Sequence, residues 1–253
     1  VPLQGEDFVR KLMTPLATDT LALMYHSGWS LDRMLKVCVR RLGPLVNAAS
    51  ASGPTPRYVP EYRDFFEAAN LLERLWEVGD CELGLSIEKD GQSALVIKFT
   101  RAGMESAEVS RLKTLLGLPA NVELRGLSAS QSEITGDGVA LVTRSLMACM
   151  YFLSQGVEPP EEDLLAGRVT LTRDEDGQPF DWTTITGGLM HIRSGSDRPE
   201  HAYIQVRHRD TWFWIDDSDL DSKSTFALLG QLLELQSGGA ERARPVLTLP
   251  VGF

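Results

Sequence analysis

Trp212-Phe213-Trp214-Ile215 runs without a break into Asp216-Asp217-Ser218-Asp219-Leu220-Asp221, and then into a leucine-rich stretch from Thr225 to Leu235. The aromatic run favours a strand and the recurring leucines a helix. Just upstream, Tyr203 to Val206 alternates and His208-Arg209-Asp210 supplies a turn, so the spacing predicts a hairpin that feeds a closing helix. Alternation puts Trp212 and Trp214 on one face and Phe213 on the other, the pattern of a strand covered on both sides.

The rest of the chain extends this to an α+β fold. Phe8, Leu12, Leu16, Leu21 and Leu23 form one apolar helical segment. Leu31, Leu35, Val39 and Leu42 form the next behind an N-cap at Ser30, and Phe65, Ala69, Leu72 and Trp76 a third. Asn47 to Pro56 is small-residue loop. Cys81 to Ile87 and Ala94 to Phe99 read as a hairpin turning at Lys89-Asp90-Gly91. A helix from Ser106 to Leu116 stops at Gly117 and Pro119, and a short strand spans Val122 to Leu127. Gly136-Asp137-Gly138 then leads into a buried central helix from about Val139 to Gln155. Beyond it a short helix is expected within Pro159 to Gly167, strands at Val169 to Thr172 and Leu189 to Ile192, and an edge strand at Pro245 to Pro250. The expected architecture is N-terminal helices packed on a largely antiparallel sheet. A helical subdomain would cover 1–79 and an α+β domain 80–253, unless the two are one continuous domain.

Composition narrows the partners. The 253 residues are 43% hydrophobic, enough to bury a sizeable core. With 25 basic against 35 acidic residues the net charge is −10, which repels a phosphate backbone and argues against nucleic acid. Cys38, Cys81 and Cys149 form no CxxC pair, so neither a zinc site nor a disulfide framework is read from them, and they are expected as small buried hydrophobes. Val139 to Gln155 carries Thr143, Arg144, Ser145 and Ser154, too polar and too short for a membrane span.

The aspartate run is the strongest chemical lead. Asp217, Asp219 and Asp221 take the first, third and fifth places of a calcium loop, but Ser222 stands where glycine is required and Leu228 where a bidentate glutamate should be. The EF-hand pattern therefore fails, and no metal or cofactor is expected. Asp221 or Ser222 should cap a helix starting near Lys223. Arg144, a cation in an apolar stretch, demands a carboxylate or several carbonyls where it is buried, and is expected to reach the Asp216, Asp217, Asp219 and Asp221 cluster. His208-Arg209-Asp210 spells the opening of a kinase catalytic loop, but Ile215 replaces its asparagine and no glycine-rich loop accompanies it. His26, His191, His201 and His208 lack short ligand spacing, and no GxSxG, Walker or GxGxxG motif occurs.

Two stretches carry a family likeness: Tyr151-Phe-Leu-Ser-Gln-Gly-Val-Glu-Pro-Pro-Glu-Glu162 with Gly177-Gln-Pro-Phe-Asp-Trp182, and Trp212 to Phe226 leading to Pro245-Val-Leu-Thr-Leu-Pro250. With Ser52-Gly-Pro-Thr-Pro56 they resemble a family of uncharacterised proteins of Gram-negative bacteria, many of them predicted lipoproteins. The resemblance spans the chain from about Gly53 and transfers no catalytic residue. It implies a periplasmic or outer-membrane-anchored location, with a lipidated cysteine upstream of Val1 as the membrane attachment, the cytoplasm being the alternative. The expected function is that of a non-enzymatic envelope protein acting through a protein partner or as an assembly scaffold. The alternative is a hydrolase or small-ligand enzyme with a site around the 216–221 aspartates.

Overall fold

Local sequence signals account for most element boundaries in the computed structural model, which describes residues 5–48, 59–87, 93–128 and 139–238. Pro15 splits the first apolar segment into α1 (Glu6–Met13) and α2 (Thr18–His26), because proline cannot continue a helix. Ser30 caps α3 (Leu31–Cys38) by accepting from Arg33 N at 3.3 Å. This helix ends sooner than its apolar spacing suggests. Val39 and Leu42, expected in the helix, belong instead to β1 (Val39–Leu42), which turns at Gly43 into β2 (Leu45–Val46). Gly43 has φ +57, a conformation that glycine adopts without strain.

The chain continues through α4 (Arg63–Glu77), β3 (Cys81–Ile87), β4 (Ser93–Phe99), α5 (Ala107–Leu116), β5 (Leu124–Ser128) and β6 (Val139–Thr143). The α5 helix is bounded as its sequence dictates, with Ser106 accepting from Glu108 N at its start and Gly117 in the left-handed region at its end. Strands β3 and β4 form the expected hairpin; its Lys89-Asp90-Gly91 turn, like Asn47 to Pro56 beyond Ala48, Gly136 to Gly138 and Pro245 to Pro250, lies outside the described residues.

The central helix expected over Val139 to Gln155 is corrected by the structure. Val139 to Thr143 is the strand β6, and only α6 (Leu146–Leu153) is helical, capped by Ser145, which accepts from Ala148 N at 3.2 Å. A strand buried on both faces shows no alternation, so its apolar run merges with the helix that follows. Thr143 gives up its hydroxyl to Leu16 O at 2.7 Å, and Arg144 N donates to Cys38 O at 2.7 Å, so the break between strand and helix is held by α3 and the segment before α2.

The six-stranded sheet has the order β2-β1-β6-β5-β4-β3, antiparallel throughout except for the parallel pair β5 and β6. The first 79 residues are therefore not helical alone: they contribute β1 and β2, and β1 pairs with β6 across residue 80. One core continues through both segments, joining Cys38, Phe65 and Leu72 to Ile97, Leu141 and Phe152. Burial of this apolar surface, at about 25 cal/mol per Å², is the main drive for closing the sheet under its helices.

The second half adds α7 (Glu161–Leu165), α8 (Thr183–Thr186), β7 (Arg193–Gly195), β8 (Ala202–His208), β9 (Thr211–Asp216) and α9 (Leu220–Gly238). The three strands form a second antiparallel sheet in the order β7-β9-β8. Arg209, at φ 54, makes the tight turn between β8 and β9 that the sequence placed there. Ile215 on β9 and Leu228 and Leu232 on α9 are buried in the common core. The strand expected at Val169 to Thr172 does not form, the nearest pairing being the bridge of Arg173 with Pro179, and the one expected at Leu189 to Ile192 reduces to the bridge of Ile192 with Val157. Those segments spend their backbone groups on turns, as when Phe180 N donates to Thr172 O at 2.9 Å and Met190 N to Thr186 O at 2.8 Å.

All three cysteines are buried and unbridged, as free apolar side chains. A hydrogen bond with Cys149 and burial push the Cys38 thiol well above the usual range, and burial raises Cys81 to about 12. Neither is an activated nucleophile. No helix among the described residues is long and apolar enough to cross a membrane.

Candidate functional site

The junction between β9 and α9 gathers the four aspartates, and each has its own work. Asp216 Oδ1 accepts from Ser218 N at 3.0 Å and Ser218 Oγ at 2.6 Å, closing the turn, while its Oδ2 lies 3.4 Å from Arg193 Nη1 on β7. Hydrogen bonds from Ser218, with a smaller contribution from Arg193, hold this carboxyl below the usual carboxylate range. Its stabilising effect is therefore present at neutral pH and lost as pH falls through that lowered range. Asp217 pairs with Lys223 Nζ at 2.8 Å, which also lies over the Tyr203 ring.

Asp219 is the helix cap. Its Oδ1 accepts from Ser222 N at 3.0 Å and its Oδ2 from Ser222 Oγ at 2.6 Å, so α9 begins at Leu220 and not near Lys223. Asp221 and Ser222, expected as caps, are already inside the first turn. Asp221 instead faces Arg33 of α3, with Nη2 at 2.6 Å from Oδ1. The same guanidinium donates to Asp221 O at 2.9 Å and Thr225 Oγ1 at 2.7 Å, which ties α3 to α9.

Arg144 does not join this cluster. Its Nη1 donates to Lys36 O at 2.7 Å and Val37 O at 2.9 Å, its Nη2 to Ala48 O at 2.6 Å, and its guanidinium stacks 4.1 Å from the Phe152 ring centroid. Lys36 and Val37 lie in the last turn of α3, where unpaired carbonyls carry the negative end of the helix dipole. The carbonyls and the ring thus take the place of a carboxylate, and the counter-charge expected of Arg144 belongs to Arg33. Burial pulls the Arg144 guanidinium down to about 10, still charged at neutral pH.

Among the described residues no group of three or more histidine, cysteine, aspartate or glutamate side chains is arranged to hold a metal ion. A catalytic or metal site made from the aspartates would have to break the cap, the turn and three ion pairs. Two of the four histidines border this junction: His191 N donates to Ser222 Oγ at 2.7 Å, and His201 O accepts from Asp217 N at 3.3 Å.

Through His191 the junction borders a cleft of about 320 Å³. Glu158 Oε1 lies 2.7 Å from His191 Nε2, and Ser194 N donates to Glu158 Oε2 at 3.3 Å. Across the cleft, Phe180 and Trp182 meet edge to face with centroids 5.5 Å apart, and Trp182 Nε1 donates to Thr172 Oγ1 at 3.1 Å. Asp181 accepts from Thr183 N at 2.9 Å and Thr183 Oγ1 at 2.7 Å, and these bonds hold its carboxyl below the usual range. Glu158, Phe180 and Asp181 carry no spacing motif. Glu158 comes from residues 151–162 and Phe180 and Asp181 from residues 177–182, and the fold brings those stretches to one cleft.

The most open feature is β8. It lies at the edge of its sheet, and Tyr203, Ile204 and Val206 expose 46%, 41% and 60% of their surface. On the covered strand beside it, Trp214 packs over Gly195 of β7, the side-chain contact that substitutes for a missing Cβ partner. No protein-family model, no curated protein and no solved structure matches this chain.

Proposed function

We propose that this chain is a non-enzymatic cell-envelope protein that holds a partner polypeptide along the open edge of β8. The observation that carries this proposal is the edge itself: seven residues with three large apolar side chains exposed, on a protein whose other strong lead, the aspartate run, is consumed internally. An uncovered strand edge offers unpaired backbone donors and acceptors, and an added strand satisfies them while alternate side chains give selectivity. Residues 202–209 include Arg207, His208 and Arg209 and no acidic residue, against a net charge of −10 for the whole chain. An extended segment with acidic and apolar residues complements that strand. The envelope location rests on the sequence's resemblance to a family of uncharacterised Gram-negative proteins, many of them predicted lipoproteins.

A photo-crosslinking residue placed at Tyr203 tests this in cells. The expected result is one discrete adduct that disappears when Val206→Lys is added and is not formed from the same crosslinker at Leu165, which is 82% exposed but lies on α7. Equal adducts from both positions, or persistence in the Val206→Lys background, would remove β8 as the docking edge.

A further inference from the structure

The cleft beside His191 has a composition that selects a class of ligand. Its described lining includes Glu158 and Asp181 and no lysine or arginine, so an anionic ligand meets only repulsion there unless His191 is charged. Its apolar surface includes the perpendicular rings of Phe180 and Trp182, with interplanar angle 81°. The electron-rich face of an aromatic ring, next to carboxylates, attracts a cation that brings its own apolar shell, while the positive ring edges offer only apolar contact. The rings are held in place: Trp182 is anchored through Thr172, and both rings pack against the core cluster. The carboxylates are fixed as well, Glu158 by His191 and Ser194, and Asp181 by Thr183. A volume of about 320 Å³ is at the small end of ligand pockets and suits a molecule of a few heavy atoms.

We infer that this cleft is a binding site for a small organic cation, an amine or quaternary ammonium whose apolar groups sit against Phe180 and Trp182 and whose charge faces Glu158 and Asp181. The site is separate from the β8 edge and stands or falls independently of it.

Calorimetric titration of the full chain with choline, and with the carbon isostere in which a tert-butyl group replaces the trimethylammonium group, tests the assignment. Choline is expected to bind at least ~10-fold more tightly than its neutral isostere, since the two differ in charge and hardly in shape. Asp181→Asn keeps an oxygen for the Thr183 hydrogen bonds and removes the charge, so it is expected to weaken choline by about 5-fold or more with an unchanged melting curve. Phe180→Leu is expected to weaken it to a similar degree. Equal binding of the isostere, tighter binding of glucose than of choline, unchanged choline affinity in Asp181→Asn, or no heat up to ~50 mM choline would each overturn the assignment.

Discussion

Replacing Arg144 with methionine is expected to lower the free energy of unfolding by about 3–5 kcal/mol, measured by urea denaturation. The side chain is 1% exposed, and its removal strips donors from the carbonyls of Lys36, Val37 and Ala48. Among the donors of the described residues, Asn47 Nδ2 at 2.8 Å from Lys36 O is the one that remains. The other two acceptors are left in a protein interior, and each unsatisfied group costs about 1–3 kcal/mol. Methionine refills much of the volume over Phe152, so the loss reports hydrogen bonding more than a cavity. Arg144→Lys is expected to recover only part of the loss, because one ammonium cannot span carbonyls that a planar fork reaches from two nitrogens.

The pH dependence of that difference has a fixed sign. Burial lowers the guanidinium to about 10 in the folded chain, below its unfolded value, so burial of the charge opposes folding wherever both states are protonated. That opposition is constant below the folded value and eases as pH rises through it towards the unfolded value. Between about pH 5 and pH 9 the gap between wild type and Arg144→Met should therefore be flat. A gap that grows or shrinks steadily across that range would mean that a titrating carboxylate, and not backbone carbonyls, is the partner of Arg144.

Gly156→Ala is expected to destabilise by about 2–4 kcal/mol and to open the cleft. A Cβ at residue 156 would stand 2.1 Å from Met190 O and 3.0 Å from Met190 C. Those are backbone atoms, which no rotamer change can move aside. The segments that must separate are the ones bridged by Ile192 N to Gly156 O at 2.8 Å and Glu158 N to Ile192 O at 2.8 Å. Glu158 would then leave His191, and the His191 ring resonances in an NMR spectrum should shift along with the loss of stability. Gly188→Ala, at a position where a Cβ meets nothing within 4 Å, is the control and should change stability by no more than ~0.5 kcal/mol. Equal stability of the two variants would refute the close approach of residues 156 and 190.

Much of this structure is written in local signals. The Ser30 cap, the Gly117 stop and the hairpin through Arg209 each depend on a few adjacent residues, and each stands where the sequence puts it; Ser106, read as the first helical residue, is the cap of α5. The boundary inside Val139 to Leu153 was hidden for a physical reason. A doubly covered strand and a buried helix present the same apolar run, and Arg144 marks their meeting only because α3 ends beside it. The aspartates were legible as a cluster but not in their assignments. Capping by Asp219 is a three-residue relation readable in principle, whereas the Arg33 to Asp221 pair spans 188 positions and is set by how α3 packs on α9. Arg144 takes the carbonyls that a buried guanidinium accepts in place of a carboxylate, and the cluster draws Arg33, which no local signal marks. Glu158, Phe180 and Asp181 could not be singled out by spacing, since the cleft they form exists only once residues 156 and 192 are bridged.

The 216–221 aspartates are structural: a turn, a cap and three ion pairs that fasten β9, β7, α9 and α3. Thermal unfolding followed across a calcium titration tests this most directly, with sodium chloride adjusted to hold ionic strength constant. A cation that binds the folded state must raise the melting temperature as its concentration exceeds its dissociation constant. The expected result is a change of less than ~1 °C up to about 5 mM calcium. A saturable rise of several degrees, abolished by Asp219→Asn together with Asp221→Asn, would show that the carboxylates converge on a metal and would contradict the account.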